Sequence, residues 1–216
     1  MEHWVEDVLE ALSNDALIAL ETAERLELRE NHGHHDHNHD HGAFDPHVWL
    51  DPLLAKQQMA SIAETLAAAD PDNADTYQAN YEHHAASFDA LDAEFREGLA
   101  DAPRRDIVVT HEAFGYLAHR YDLKQIGIMG LVPDSEPDPA TMIEIIEFVD
   151  GHDVQVIFFE EATSPRVAEV IAAESGATTD ILNPIENLTQ EQEAAGMDYL
   201  DIMRQNLAAL KRALHD

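Results

Sequence analysis

The side chains best equipped for chemistry in this sequence are imidazoles and carboxylates, since it holds 14 histidines, 44 acids and no cysteine. Six histidines crowd into one stretch, His32, His34, His35, His37, His39 and His41, interleaved with Asp36, Asn38 and Asp40. Unprotonated imidazole is a donor for zinc, nickel or copper, and the aspartates add a negative potential that draws cations in. Nothing in 31–43 can build a core, so the stretch reads as a loop suited to weak, exchangeable capture, with a solvated linker as the plain alternative. Other candidates stand singly. His47 sits between Pro46 and Val48, His111 follows Thr110, and Glu112, Glu160, Glu161, Asn183 and Glu186 supply oxygens. Together these are hard and borderline donors for a divalent metal.

The elements that must position them show in the hydrophobic spacing. Residues 1–30 read as an amphipathic helix burying Trp4, Val8, Leu12, Leu17 and Ile18. Asp51 ahead of Pro52 is a helix start, and Ala55, Met59, Ile62 and Leu66 form the inward stripe of a helix ending near Asp70. A longer helix follows over 73–99, with Tyr77, Tyr81, His84, Phe88, Leu91, Phe95 and Leu99 on one face, which makes His84 a core residue. His83 and His119 read as surface and His152 as a turn residue. Beyond residue 104 strands alternate with helices: strands at 107–110, 125–129, 155–159 and 178–182, helices at 111–121, 139–150, 165–175 and 196–214. Four strand–helix units in a row imply a parallel sheet with helices on both faces. Ligands of such sheets bind beyond the carboxyl ends of the strands, which is where His111, Glu160 and Asn183–Glu186 fall. Asp134, Glu136 and Asp138 read as an acidic, solvent-facing loop.

Composition removes several classes. Lysine plus arginine number 12 against 44 acids, a net charge of −32 that repels phosphate backbones and anionic lipid surfaces. The acids are spread along the whole chain, so the surface reads as adapted to high salt, where the screening length falls to roughly 3 Å, rather than as one acidic interaction tail. Without cysteine there is no disulfide scaffold and no thiol nucleophile. No apolar run is long enough to span a bilayer, and Met1 leads straight into acids without a signal-peptide pattern. The nucleophile elbow, the phosphate-binding loop and the dinucleotide fingerprint are missing, and His111-Glu-Ala-Phe-Gly115 lacks the second histidine of a zinc-protease helix. An enzyme is not expected.

Four ordered motifs carry a resemblance: Asp45-Pro-His-Val-Trp-Leu-Asp-Pro52, Val109-Thr-His-Glu-Ala-Phe-Gly-Tyr116, Ile157-Phe-Phe-Glu-Glu161 with Ser164-Pro165, and Asn183-Pro-Ile-Glu-Asn-Leu-Thr189. With Gly196-Met-Asp-Tyr-Leu200, they make the chain resemble the zinc/manganese (cluster A-I, ZnuA-like) substrate-binding proteins of ABC importers. The resemblance implies two Rossmann-like α/β lobes joined by a long rigid helix, the metal lying between them, and a second lobe built on a four-stranded parallel sheet. It divides the chain into a first-lobe remnant at 1–72, a linking helix at 73–100 and a C-terminal lobe at 101–216. His47 and His111 would be ligands from the two lobes, Glu186 an additional oxygen ligand, and Glu160 a second-choice carboxylate matching the manganese type. Asparagine at 183, where manganese-type members usually carry aspartate nearby, and the histidine-rich loop favour Zn2+ over Mn2+. The family's first lobe begins with strands and a Pro-His motif upstream of anything matched here. The first lobe is therefore expected to be incomplete, with any anchor to the cell surface supplied by a missing N-terminal segment.

The function so implied is an extracytoplasmic receptor that captures zinc and delivers it to an ABC permease and its ATPase. A metal buffer binding zinc or nickel mainly through the histidine-rich loop is the alternative, and a metal hydrolase a distant third. Because a bound imidazole must be unprotonated, affinity is expected to weaken below about pH 6.

Overall fold

A computed structural model of the chain describes residues 4–14, 16–30, 44–131, 137–161 and 164–215. Its centre is a four-stranded parallel sheet made by β1 (Asp106–Val109), β2 (Lys124–Gly127), β3 (Val156–Phe159) and β4 (Thr178–Ile181), in the order β2-β1-β3-β4. The register pairs Ile107 with Gln125, Val108 with Ile157 and Phe158 with Asp180. The expected strands are all present: β1, β2 and β4 end one or two residues early at their carboxyl side, and β3 ends at Phe159 as expected.

The central strands read as unbroken apolar runs because both of their faces are covered. Ile107, Val109 and Phe158 face one layer, shared with α3 (Ala74–Leu99), α4 (Gly115–Arg120) and α8 (Tyr199–His215). Val108 and Ile157 face the other, made by α5 (Pro139–Gly151) and α6 (Arg166–Ser175). The α8 stripe is buried as expected at Met203, Leu207, Leu210 and Leu214. A short helix that the spacing did not reveal, α7 (Gln190–Ala195), opens with a capping box in which Thr189 and Gln192 each bond the other's backbone.

Two helices lead into this layer. Helix α2 (Pro52–Ala69) starts at Asp51, whose carboxylate accepts the Leu53 and Leu54 N–H groups and also binds the Arg120 guanidinium at 2.6 Å. The capped start is thereby fastened to the end of α4. Helix α3, at 26 residues, extends about 39 Å at 1.5 Å per residue. Only its carboxyl half, Leu91, Phe95 and Leu99, enters the main core; its amino half packs along α2.

Four expectations need correction. The first thirty residues do not make one buried helix: α1 covers Trp4–Ala11, and Trp4, Val8, Leu12, Leu17 and Ile18 are exposed. Ser13 and Asn14 favour turns over helix, and the Asn14 side chain accepts the Ala16 N–H. The inward face of α2 carries buried Ala63, while Ile62 and Leu66 are each 43% exposed. His84 lies on solvent, because the outer half of α3 has only α2 to pack on. Residues 111–114 form a turn, and the helix begins at Gly115. Asp138 is exposed and caps α5 through the Ala140 and Thr141 N–H groups, whereas Asp134 and Glu136 lie outside the described residues.

Phe95 is fully buried and stacks on Tyr121 with ring centroids 4.9 Å apart. Phe95→Ala should lower unfolding free energy by about 3–5 kcal/mol in chemical denaturation, whereas Ile62→Ala should change it by under about 0.5 kcal/mol.

Candidate metal centre

Three strand ends and one helix approach meet at the carboxyl edge of the sheet. His111 stands two residues past β1, Glu160 one past β3, and Glu186 in the turn beyond β4. His47 arrives from the segment that ends in the 3-10 turn Val48–Leu50 and the start of α2. The side chains of His47 and His111 are 1% and 4% exposed, and their ring centroids lie 5.0 Å apart at 79°. His47 Nε2 is 3.2 Å from Glu186 Oε1, and one donor atom from each of His47, His111 and Glu186 falls within 4.8 Å of the others. Glu186 keeps its side chain 31% exposed, so it forms the solvent side of the cluster.

The far side of each ring is fixed. Asp45 Oδ1 lies 2.7 Å from His47 Nδ1 and accepts the His47 backbone N–H at 2.9 Å, while the Asp45 carbonyl accepts the Tyr116 hydroxyl. Glu160 Oε1 lies 2.5 Å from His111 Nδ1, and the Leu131 carbonyl 2.8 Å from His111 Nε2. Burial pulls the pKa of His47 down, but hydrogen bonding and charge from Asp45 and Glu186 outweigh it and leave it raised above 6.5. Burial likewise pulls His111 down, and Glu160 together with the Leu131 carbonyl carries it above its ordinary value despite the opposing charge of His47. The hydrogen bond from His47 holds the Glu186 carboxyl below the usual glutamate range. This is a polar cluster whose basic nitrogens a proton or a divalent cation can occupy in competition.

The structure thus draws His47, His111 and Glu186 together and sets Glu160 behind the His111 ring rather than among the three. His32, His34, His35, His37, His39 and His41 lie outside the described residues. His83, His119 and His152 are exposed and are not among the three clustered donors. Sequence reasoning passed over Asp45 as a partner of His47, although an acid two residues before a histidine can reach both its ring and its N–H. It also missed Gly115: a β-carbon there would stand 2.7 Å from Asp45 Oδ2. Asp45→Ala should therefore bring the His47 pKa down, and Gly115→Ala should move it in the same direction, as read by NMR titration of the histidine ring protons in the metal-free protein.

With this geometry described, comparison with known proteins is direct. The family model "Zinc-uptake complex component A periplasmic" matches residues 1–213. The chain is 39% identical over 218 residues to the zinc-binding lipoprotein AdcA of Streptococcus pneumoniae, covering 98% of this chain and 44% of that protein. It is 38% identical over 221 residues to the high-affinity zinc uptake system protein ZnuA of Bacillus subtilis, covering 99% of this chain and 69% of that one. The chain therefore spans less than half the length of the streptococcal relative. Among solved structures, the Zn(II)-bound ZnuA-like domain of S. pneumoniae AdcA superposes with a TM-score of 0.83 at 36% identity, over 100% of this chain and 77% of that one. That family is one of binding proteins rather than enzymes. The family match over residues 1–213 and the Bacillus relative show that the chain belongs to the ZnuA family of zinc-uptake components.

Proposed function

We propose that this chain captures Zn2+ between His47, His111 and Glu186 and passes it, outside the cytoplasm, to the permease and ATPase of an ABC importer. The observation that carries the reading is the approach of one donor atom from each of these residues to within 4.8 Å of the others. Tetrahedral zinc, with bonds of about 2.0–2.1 Å, asks for neighbouring donors about 3.3 Å apart, so a small inward movement would bring these three donors onto one ion and leave a fourth position for another ligand. Two imidazoles and one carboxylate favour zinc over manganese, which prefers an all-oxygen environment. Asp45 and Glu160 then act as the partners that orient the two rings from behind. A metal on His111 Nε2 would replace the Leu131 carbonyl there and leave Glu160 on Nδ1.

The periplasmic family description and the lipoprotein relative support an extracytoplasmic setting. The net charge of −32 raises the local concentration of divalent cations. The histidine composition of 32–41 supports an accessory capture role for that loop. Under the competing reading, that loop would hold nearly all of the zinc.

Calorimetry with a competing chelator separates these readings. His47→Ala and His111→Ala should each weaken Zn2+ binding by more than about 100-fold, since even loss of an orienting partner costs about 10–100-fold. Deleting residues 31–43 should leave one tight site; loss of nearly all stoichiometric zinc would identify a buffer instead. The pH dependence follows from the raised histidine pKa values. A proton held more firmly than at 6.5 competes at higher pH, so affinity should begin to fall above that value as the solution is acidified, earlier than an unperturbed imidazole would dictate. Titrations between pH 5 and 8.5 would show this.

A further inference from the structure

We propose that Asn206 and Trp49 are positioning residues for the oxygen donor, locking the turn that aims Glu186 at the two imidazoles; this rests on the reading of Glu186 as a metal ligand. Asn206 lies on α8 at 2% exposure, and its amide serves both backbone groups of a single residue. Its Oδ1 accepts the Asn183 N–H at 2.8 Å, and its Nδ2 donates to the Asn183 carbonyl at 2.7 Å. The Trp49 indole N–H donates to the Pro184 carbonyl at 2.8 Å, and the Asn183 side-chain oxygen accepts the Ile185 N–H at 2.7 Å. Proline has no N–H of its own. Every backbone donor and acceptor from the Asn183 nitrogen to the Ile185 nitrogen is therefore bound, and the turn cannot relax without leaving one of them unmade.

The outcome is visible in Ile185, which holds φ at +58°, a left-handed conformation that a β-branched residue avoids unless its surroundings impose it. Glu186 is the next residue. Its carboxylate direction is thus set by a turn clamped from two sides, by α8 beneath and by Trp49 beside. Trp49 stands two residues after His47, and its ring lies edge-on to the imidazole with centroids 5.5 Å apart. One hydrogen bond across 135 residues therefore joins the segment bearing a nitrogen donor to the turn bearing the oxygen donor. The Tyr199 hydroxyl, also on α8, donates to the Trp49 carbonyl at 2.8 Å and steadies that segment in turn. The separation of His47 Nε2 from Glu186 is governed by this clasp.

The test is a set of double-mutant cycles for Zn2+ affinity, measured by chelator competition on the full chain, with circular dichroism to verify folding. Asn206→Leu and Trp49→Phe should each weaken Zn2+ binding by about 10–100-fold, the range for lost outer partners, and Glu186→Ala should weaken it too. In the Glu186→Ala background neither substitution should weaken binding further, because the group they position is gone. A general structural role predicts something different: losses that multiply independently of Glu186. That result would overturn the proposal, as would unchanged affinity in the single variants while Glu186→Ala weakens binding. If Glu186→Ala leaves affinity intact, the ligand reading itself falls and the positioning role falls with it. Should Asn206→Leu not fold, the Trp49→Phe cycle decides alone, since it deletes one N–H and leaves an aromatic ring in place.

Discussion

Two imidazoles buried face to edge, 5.0 Å apart, are an unfavourable arrangement unless something compensates for the lost water and for their mutual repulsion when charged. Three carboxylates do so here. Asp45 and Glu160 take the outer nitrogens, and Glu186 faces His47 from the solvent side. The arrangement is self-consistent without a metal, because the acids raise the affinity of both rings for protons. It is equally suited to exchange those protons for a cation, which needs the same negative surroundings. Remove the acids and the buried histidines lose both their orientation and the reason they can sit side by side.

The parallel sheet makes such a meeting inexpensive to arrange. Its strands all end at one edge, so residues distant in sequence are delivered to a common rim without any long excursion of the backbone. His111, Glu160 and Glu186 come from that rim, and the segment ahead of α2 brings His47 across it. Asp51 fastens this last piece: it caps α2 and grips Arg120 at the end of α4, the helix that follows the His111 turn. The first nitrogen donor is thereby referenced to the element next to the second.

Much of this could be read from residue order alone. Alternation of apolar runs and helical stripes located the sheet, and the rule that ligands gather past strand ends then pointed to His111, Glu112, Glu160, Glu161 and Glu186. Motif resemblance narrowed these and gave His47, a lone candidate until then, a ligand role. What escaped was everything decided by a partner rather than by local pattern. The stripe on α1 is amphipathic whether or not another element covers it, and among the described residues it stays exposed. Ile62, Leu66 and His84 were assigned to buried faces because periodicity reveals a helix's apolar side but not which neighbour reaches it. Gly115, Trp49 and Asn206 act through contacts across tens of residues, for which a one-dimensional pattern has no signature, whereas Asp45 reaches His47 from only two residues away and its spacing was open to view. The helical stretch at 111–114 was misjudged for a local reason: the chain there must turn sharply to present His111 at the sheet edge, and the helix waits until Gly115.

The choice of nitrogen and oxygen donors has a consequence for the protein's working life. With no sulfur from cysteine anywhere in the chain, a cation held by imidazoles and a carboxylate cannot be dislodged by peroxide or hypochlorous acid attacking a ligand thiolate, nor regained through a reductant. A cation so held would be retained or released according to acidity and geometry rather than through thiol redox chemistry.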